Sequence, residues 1–304
     1  VAENAYGTRS LPQFHFLRKP NGPAGAVHLE HDLADDCIRV SLRAQHPFTE
    51  TPKLHIYEGA SKRTVTLTAL DVDRYVGTVR PLDAFSGTRR LVAEAEVNGN
   101  RITAIDEFDL FPIVHGKSGT ISLDGGRLIL SYDSTAVFKT LFVQVQKNPD
   151  YPGHYSLLPD NALLKGSLKA TVAVEPSNGK QGLFFSGLDG WELLDQRRNS
   201  KTSSLAGTIT RTLGELAVKI DDTPPYITRL SISRASSGRP TISFRYGDNF
   251  SGVEYKELKL YIDDVFVVPE IDGEHRRVIN RLSEPLQRGS HTLRLLFKDR
   301  IGNA

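Results

Sequence analysis

The chain has 304 residues, with 38 lysines and arginines against 36 aspartates and glutamates, for a net charge of +2. A balance that even, with basic residues scattered as pairs such as Arg89-Arg90 and Arg197-Arg198, gives no footprint for nucleic acid or an anionic membrane surface. Charges interrupt every apolar run longer than a strand, which excludes membrane insertion as a helix, and the single cysteine, Cys37, excludes an intrachain disulfide or a cysteine-based zinc cluster.

Residues 1–19 read as a lead-in or linker, running into the proline- and glycine-rich "LRKPNGPAG" at residues 17–25. The chain starts at Val1, as expected of a processed or trimmed product. Methionine is absent throughout, which suits an exported, extracellular or cell-surface protein exposed to oxidants.

Period-two alternation dominates from end to end. "HLEHD" at residues 28–32 has the His-x-x-x-Asp spacing found in M23 metallopeptidases, and His31 adds a further nitrogen. None of the nine histidines supplies the His-x-His pair those enzymes also need. On a strand, His28 and Asp32 lie roughly 13 Å apart and cannot share an ion, so these are read as surface or edge side chains.

Cys37 opens the alternating run Ile38, Val40, Leu42 and is expected to be a buried or half-buried thiol. Leu54 with Ile56 and Val65 with Leu67 continue the pattern, and "EGASK" and "NGN" mark turns between strands. A boundary is expected near "DLFPIVHGKSG", where Pro112 and the Gly116–Gly119 turn separate two differently patterned stretches. "GKS" there lacks the upstream glycine of a phosphate loop, since Phe111 stands in its place, and a strand rather than a helix follows.

The middle stretch alternates at Leu141, Val143 and Val145 and turns at "LDGG". Its Trp191, the only tryptophan, stands near Phe184 and Phe185 in sequence. Together they are a candidate flat face for a sugar ring, although aromatics at alternating strand positions more often fill a sandwich core. "KIDDTPPYI" marks a second boundary, because Pro224 and Pro225 cannot donate to a ladder. The expected division is 20–112, 113–220 and 221–304, each a β-sandwich.

In the last stretch Ile242, Phe244 and Tyr246 alternate, as do Leu293, Leu295 and Phe297, with turns at "YGDNFSG", "DGE" and "QRGS". Asp221, Asp222, Asp248 and Asn249 offer hard oxygens from two segments and form a candidate calcium site, the one cofactor with any support. The alternative is that Asp248 and Asn249 make an Asx-type turn with their own backbone before Gly252. "PLDAFSGTRRLVAEAEVNGNRI" and "PLQRGSHTLRLLFKDRIGNA" form a weak internal repeat. The first copy runs on into another alternating strand. The second stops, so the expectation is either a longer polypeptide or a strand donated by a neighbouring chain.

"DDTPPYI", "YGDNFSGVEYKELKLYIDD" and "GSHTLRLLFKDRIGN" make the last stretch resemble the immunoglobulin-like modules of large bacterial secreted and surface proteins. Such modules carry an Asp-Thr-Pro-Pro linker, an Asp-x-x-Ser-Gly turn and an Asp-x-x-Gly-Asn ending. The middle stretch is similar to ZU5-like β-sandwich modules on "SGTISLDGGRLILSYDSTAVFKTLFVQVQ", with Ala136 beside Val137 after a glycine-flanked hairpin. The first is read as an immunoglobulin- or fibronectin III-like sandwich. This combination resembles regions downstream of M23-type or subtilisin-like peptidase domains, a likeness of arrangement that transfers no catalytic residue.

No Gly-x-Ser-x-Gly elbow or other nucleophile signature occurs. The expected function is therefore non-catalytic: a structural, adhesive or spacer segment of an exported bacterial multi-domain protein. Its partners would be other domains of a longer polypeptide, neighbouring subunits or a cell-surface glycan. The alternatives are the accessory region of a secreted peptidase, a glycan-binding module near Trp191, and a strand-exchanging assembly subunit.

Overall fold

The computed structural model describes residues 27–34, 36–160, 162–177, 179–187, 190–196, 203–234 and 239–304. The expected lead-in 1–19 and the Arg197-Arg198 pair lie outside the described residues. Within them the fold is all-β. The regular elements are antiparallel strands and two single turns of 3-10 helix, as the short alternating runs require.

In the first part of the chain the strands are β1 (His28–Ala34), β2 (Cys37–Arg43), β3 (Lys53–Glu58), β4 (Ser61–Val65), β5 (Leu67–Asp71), β6 (Arg74–Val79), β7 (Gly87–Val97) and β8 (Asn100–Ile113). One sheet has the order β1-β2-β6-β5, and in another β8, β7, β3 and β4 lie side by side. Ile38, Val40 and Leu42 on β2, Leu54 and Ile56 on β3, and Leu91 and Ala93 on β7 are all buried. Each large aliphatic so buried contributes about 1.5–3 kcal/mol. Cys37, at the mouth of β2, is half-buried and free.

The strands that follow are β9 (Gly119–Leu123), β10 (Leu128–Tyr132), β11 (Leu141–Lys147), β12 (His154–Leu158), β13 (Leu163–Ala173), β14 (Gln181–Gly187), β15 (Gly190–Gln196), β16 (Ser204–Thr212) and β17 (Glu215–Ile220). They form a sheet β16-β13-β10-β9 and a second layer β15-β14-β17-β12-β11-β8. One cluster of buried residues joins the layers: Ile121, Leu130, Leu168 and Ile209 from the first sheet meet Val143, Leu157, Leu183 and Leu216 from the second. Ala136 and Val137 are buried in it. Pro112 does not stop β8, which pairs Pro112 with Phe142 of β11. The β7–β8 hairpin turns at Asn98-Gly99, both with positive φ.

The last strands are β18 (Tyr226–Arg234), β19 (Pro240–Gly247), β20 (Lys259–Ile262), β21 (Val265–Val267), β22 (Ile271–Asp272), β23 (Arg277–Arg281) and β24 (Leu293–Leu296). They make sheets β18-β19-β23-β22 and β21-β20-β24 over a second apolar cluster around Ile242, Phe244, Tyr246, Ile262 and Val278. β17 and β18 flank Pro224-Pro225. The alternation at Leu293, Leu295 and Phe297 after "QRGS" becomes a strand that ends at Leu296, for a physical reason. After Leu296 the chain leaves β20 and runs to the Val253–Asp299 bridge, where the carbonyl of Lys298 accepts from Glu254.

The chain divides into two compact units. One takes the chain up to Asp32 with Ile38–Val79 and Arg89–Glu107; the other takes Leu33–Cys37, Arg80–Thr88 and Phe108–Ala304. The second unit holds both apolar clusters and the joint between their sheets.

Candidate functional site

Three short turns meet at that joint, and each opens on an aspartate. In the first, Asp221 Oδ1 accepts from the N–H of Thr223 at 3.2 Å. In the second, Asp248 Oδ2 accepts from the N–H groups of Phe250 and Gly252, at 2.8 and 2.7 Å. In the third, Asp299 Oδ1 accepts from the N–H groups of Ile301 and Asn303, at 3.1 and 2.7 Å. Short carboxylates that bond the backbone ahead of them are what make aspartate a turn former. Gly252 and Gly302, at φ +83 and +95, close the second and third turns in a left-handed conformation that suits glycine.

Hydrogen bonds between the turns assemble them. Asp221 Oδ2 accepts from the N–H of Ser251 at 3.1 Å. Asn303 donates Nδ2 to Asp299 Oδ2 at 2.7 Å, to the Asp221 carbonyl at 2.8 Å and to the Thr223 carbonyl at 3.4 Å. Arg300 donates its N–H to the Gly252 carbonyl at 2.7 Å. As a result one oxygen from each of Asp221, Asp248 and Asp299 lies within 4.8 Å of the others. Asp221 and Asp299 are buried.

Three cations stand at the same joint, and each is directed elsewhere. Lys180 Nζ donates to the Gly302 carbonyl at 2.7 Å, and Arg300 Nη2 to the Leu193 carbonyl at 3.2 Å. Lys219 Nζ sits 3.3 Å from the centre of the Trp191 ring and 4.8 Å from that of Phe250. Burial pulls the Lys219 ammonium below its usual range, with Glu215 opposing. Among the described residues no lysine or arginine pairs with the three carboxylates. Two unit negative charges 4.8 Å apart repel by about 3 kcal/mol at an effective dielectric constant near 20.

Of the four residues expected to hold calcium, the structure brings together Asp221 and Asp248. Asp222 turns away, and its Oδ1 accepts from the N–H of Lys180 at 3.0 Å. Asn249 is exposed. The Asx-type turn at Asp248 forms, and forms without removing the carboxylate from the cluster. Asp299 was not among the expected ligands, although the Asp-x-x-Gly-Asn motif it opens is plain in the sequence.

The other candidates resolve more simply. Phe184 and Phe185 are buried at 0 and 3 % exposure, and Phe184 packs against Phe250 with ring centres 4.5 Å apart. Trp191 is half-buried, with Lys219 on its face and His154 at 5.9 Å. His31, on β1, pairs with Asp106 at 2.5 Å. Lys117 lies in a turn, with its N–H bonded to the Val114 carbonyl. An open groove of about 620 Å³ beside β1, β2 and β6 is lined by residues of both charges, among them Glu30, Asp32 and Arg39.

A comparison with protein-family models finds none that matches, and a comparison with curated proteins finds no match either.

Proposed function

We propose that this chain is a non-catalytic structural segment of an exported bacterial multi-domain protein. It is built as three tandem β-sandwiches, an immunoglobulin-like, a ZU5-like and a second immunoglobulin-like module. Its work is to space and orient what is attached to it, at the cell surface or outside the cell.

The observation that carries this reading is the joint between the last two apolar cores. A spacer needs joints that resist bending, and this one combines a buried polar network with apolar contact. Asn303 ties the third turn to the first, Lys180 and Arg300 reach across to opposing carbonyls, and Phe184 packs on Phe250. A flexible tether would carry exposed, unbonded backbone instead. Lys219 on the face of Trp191 weighs against a glycan platform there, because a sugar would have to displace it.

The test is a pair of spin labels at exposed Lys169→Cys on β13 and Glu274→Cys, with Cys37→Ser to remove the native thiol. A single narrow distance distribution is expected. A broad one, with both cores folded, overturns the spacer reading.

A further inference from the structure

The acidic joint is unlike a set of ordinary turns in one respect. An Asx turn uses a carboxylate's oxygens on its own backbone, yet here two buried oxygens are left over. Asp248 Oδ1 is shielded from solvent and accepts no hydrogen bond. Ser251 is 2 % exposed, its N–H is held on Asp221 Oδ2, and its own Oγ has no hydrogen-bond partner. Buried oxygens without partners are rare in folded proteins and call for an explanation at each site. Asp248 belongs to a trio of carboxylates that no described basic side chain pairs with, and the Ser251 backbone is held on one of them, Asp221.

A cation explains both features at once. Calcium takes six to eight oxygens at about 2.3–2.6 Å, so two ligands on opposite sides of the ion are about 4.8 Å apart. Oxygens of Asp221, Asp248 and Asp299 that all lie within 4.8 Å of one another fit on one such sphere. The donor set is wholly hard oxygen, which favours calcium over softer metals.

We propose that Asp221, Asp248 and Asp299 bind one calcium ion at the joint between the last two cores, with Ser251 Oγ as a neutral ligand. The ion joins the chain leading into the last pair of sheets to two of the turns that cap it. The inference rests on the spacer reading, for which it supplies the means of stiffening. Waters complete the coordination, as is usual for sites with few protein ligands.

The experiment uses the full chain, dialysed against a chelator and titrated with calcium chloride alone, read by calorimetry and thermal melting. One site per chain is expected, with a dissociation constant below about 1 mM, in the range of extracellular calcium modules. Melting should shift upward as calcium is added, since an ion that binds the folded state stabilises it.

Asp248→Asn keeps an oxygen for the turn amides and removes the charge. It should weaken calcium at least tenfold while the calcium-free variant melts no lower than the parent. Ser251→Ala should weaken binding with the fold intact. No heat and no melting shift up to about 10 mM calcium in folded parent protein overturns the site, as does equal binding by Asp248→Asn. The spin-label pair separates this from the spacer reading. Calcium binding with a broad distance distribution retains the site and removes the spacer; a narrow distribution without binding does the reverse.

Discussion

Two groups of buried and half-buried acid in this molecule are handled in opposite ways. Glu58, in the first unit, is met by charge: Arg89 Nε donates to one carboxylate oxygen at 3.1 Å, and Arg63 Nη2 bonds the other. Glu58 and Arg89 face each other in the β3–β7 ladder, both fully buried in their side chains. Burial pulls the Arg89 guanidinium below its usual range, and Glu58 opposes that pull. At the joint in the second unit, three aspartates are met by backbone N–H groups and an asparagine, while the nearby cations face rings and carbonyls. The first arrangement is closed, since the Glu58 carboxylate is neutralised by the arginines that bond it. The second is open, because its hydrogen bonds fix the carboxylates without neutralising them.

Removing charge at each site gives the largest effects. Arg89→Ala leaves Glu58 buried with half its compensation, and should cost about 3–5 kcal/mol of unfolding free energy, measured by urea denaturation. Its effect should be independent of calcium. Asp299→Ala removes the acceptor of three hydrogen bonds and should cost about 2–3 kcal/mol without calcium. It should also abolish the calcium-induced rise in melting temperature. Loss of that rise in Arg89→Ala, or its survival in Asp299→Ala, would erase the distinction.

Raising the pH probes the second unit in another way, because its two cores carry the buried phenols of Tyr155 and Tyr246. Burial, together with the Asp124 carboxylate that accepts its hydroxyl at 2.9 Å, pushes Tyr155 up to about 12. Burial and Tyr255 push Tyr246 up to about 12 as well. Burial would also raise Asp124, but the bonds from Lys147 and Tyr155 outweigh it and hold that carboxyl below its usual range. A raised phenol binds its proton more tightly in the folded state. The stability it contributes is whole below pH about 10 and is lost as pH climbs through about 12. Tyr155→Phe should flatten part of that alkaline fall, read as melting temperature against pH.

The smallest effect belongs to Lys219→Ala. It should cost about 0.5–1 kcal/mol for the lost cation–π contact, and Trp191, the only tryptophan, should shift its emission as its face is uncovered. An unchanged spectrum would mean that Lys219 does not occupy that face in solution.

Much of the architecture was legible because burial in a sheet repeats every second residue. Ile38, Val40 and Leu42, or Ile242, Phe244 and Tyr246, announce an inward face by spacing alone. The same parity held the clue to the ion pair. Glu58 continues the inward series of Leu54 and Ile56, and Arg89 that of Leu91 and Ala93, so a charge at inward parity on both strands marked a buried pair. At the joint, Asp221 and Asp248 could be grouped because one lies in the proline-bearing stretch at an expected boundary and the other opens the turn of "YGDNFSG". Asp299 and Asp222 exchanged roles for a reason that local spacing does not record. Which carboxylate faces inward depends on how the third turn folds back on the first, and that is set by Asn303.

The Asn303 amide has a mechanical consequence. It fastens the chain late in the last sheets to the carbonyls of Asp221 and Thr223, just before those sheets begin. Pulling on Asn303 against a point upstream of Asp221 would load these few bonds before any ladder of β18 to β24 felt the force. Under an optical trap the expected trace is an early, small rip as the clasp opens, followed by extension of the sheets at higher force. Asn303→Ala should remove the first event and leave the second.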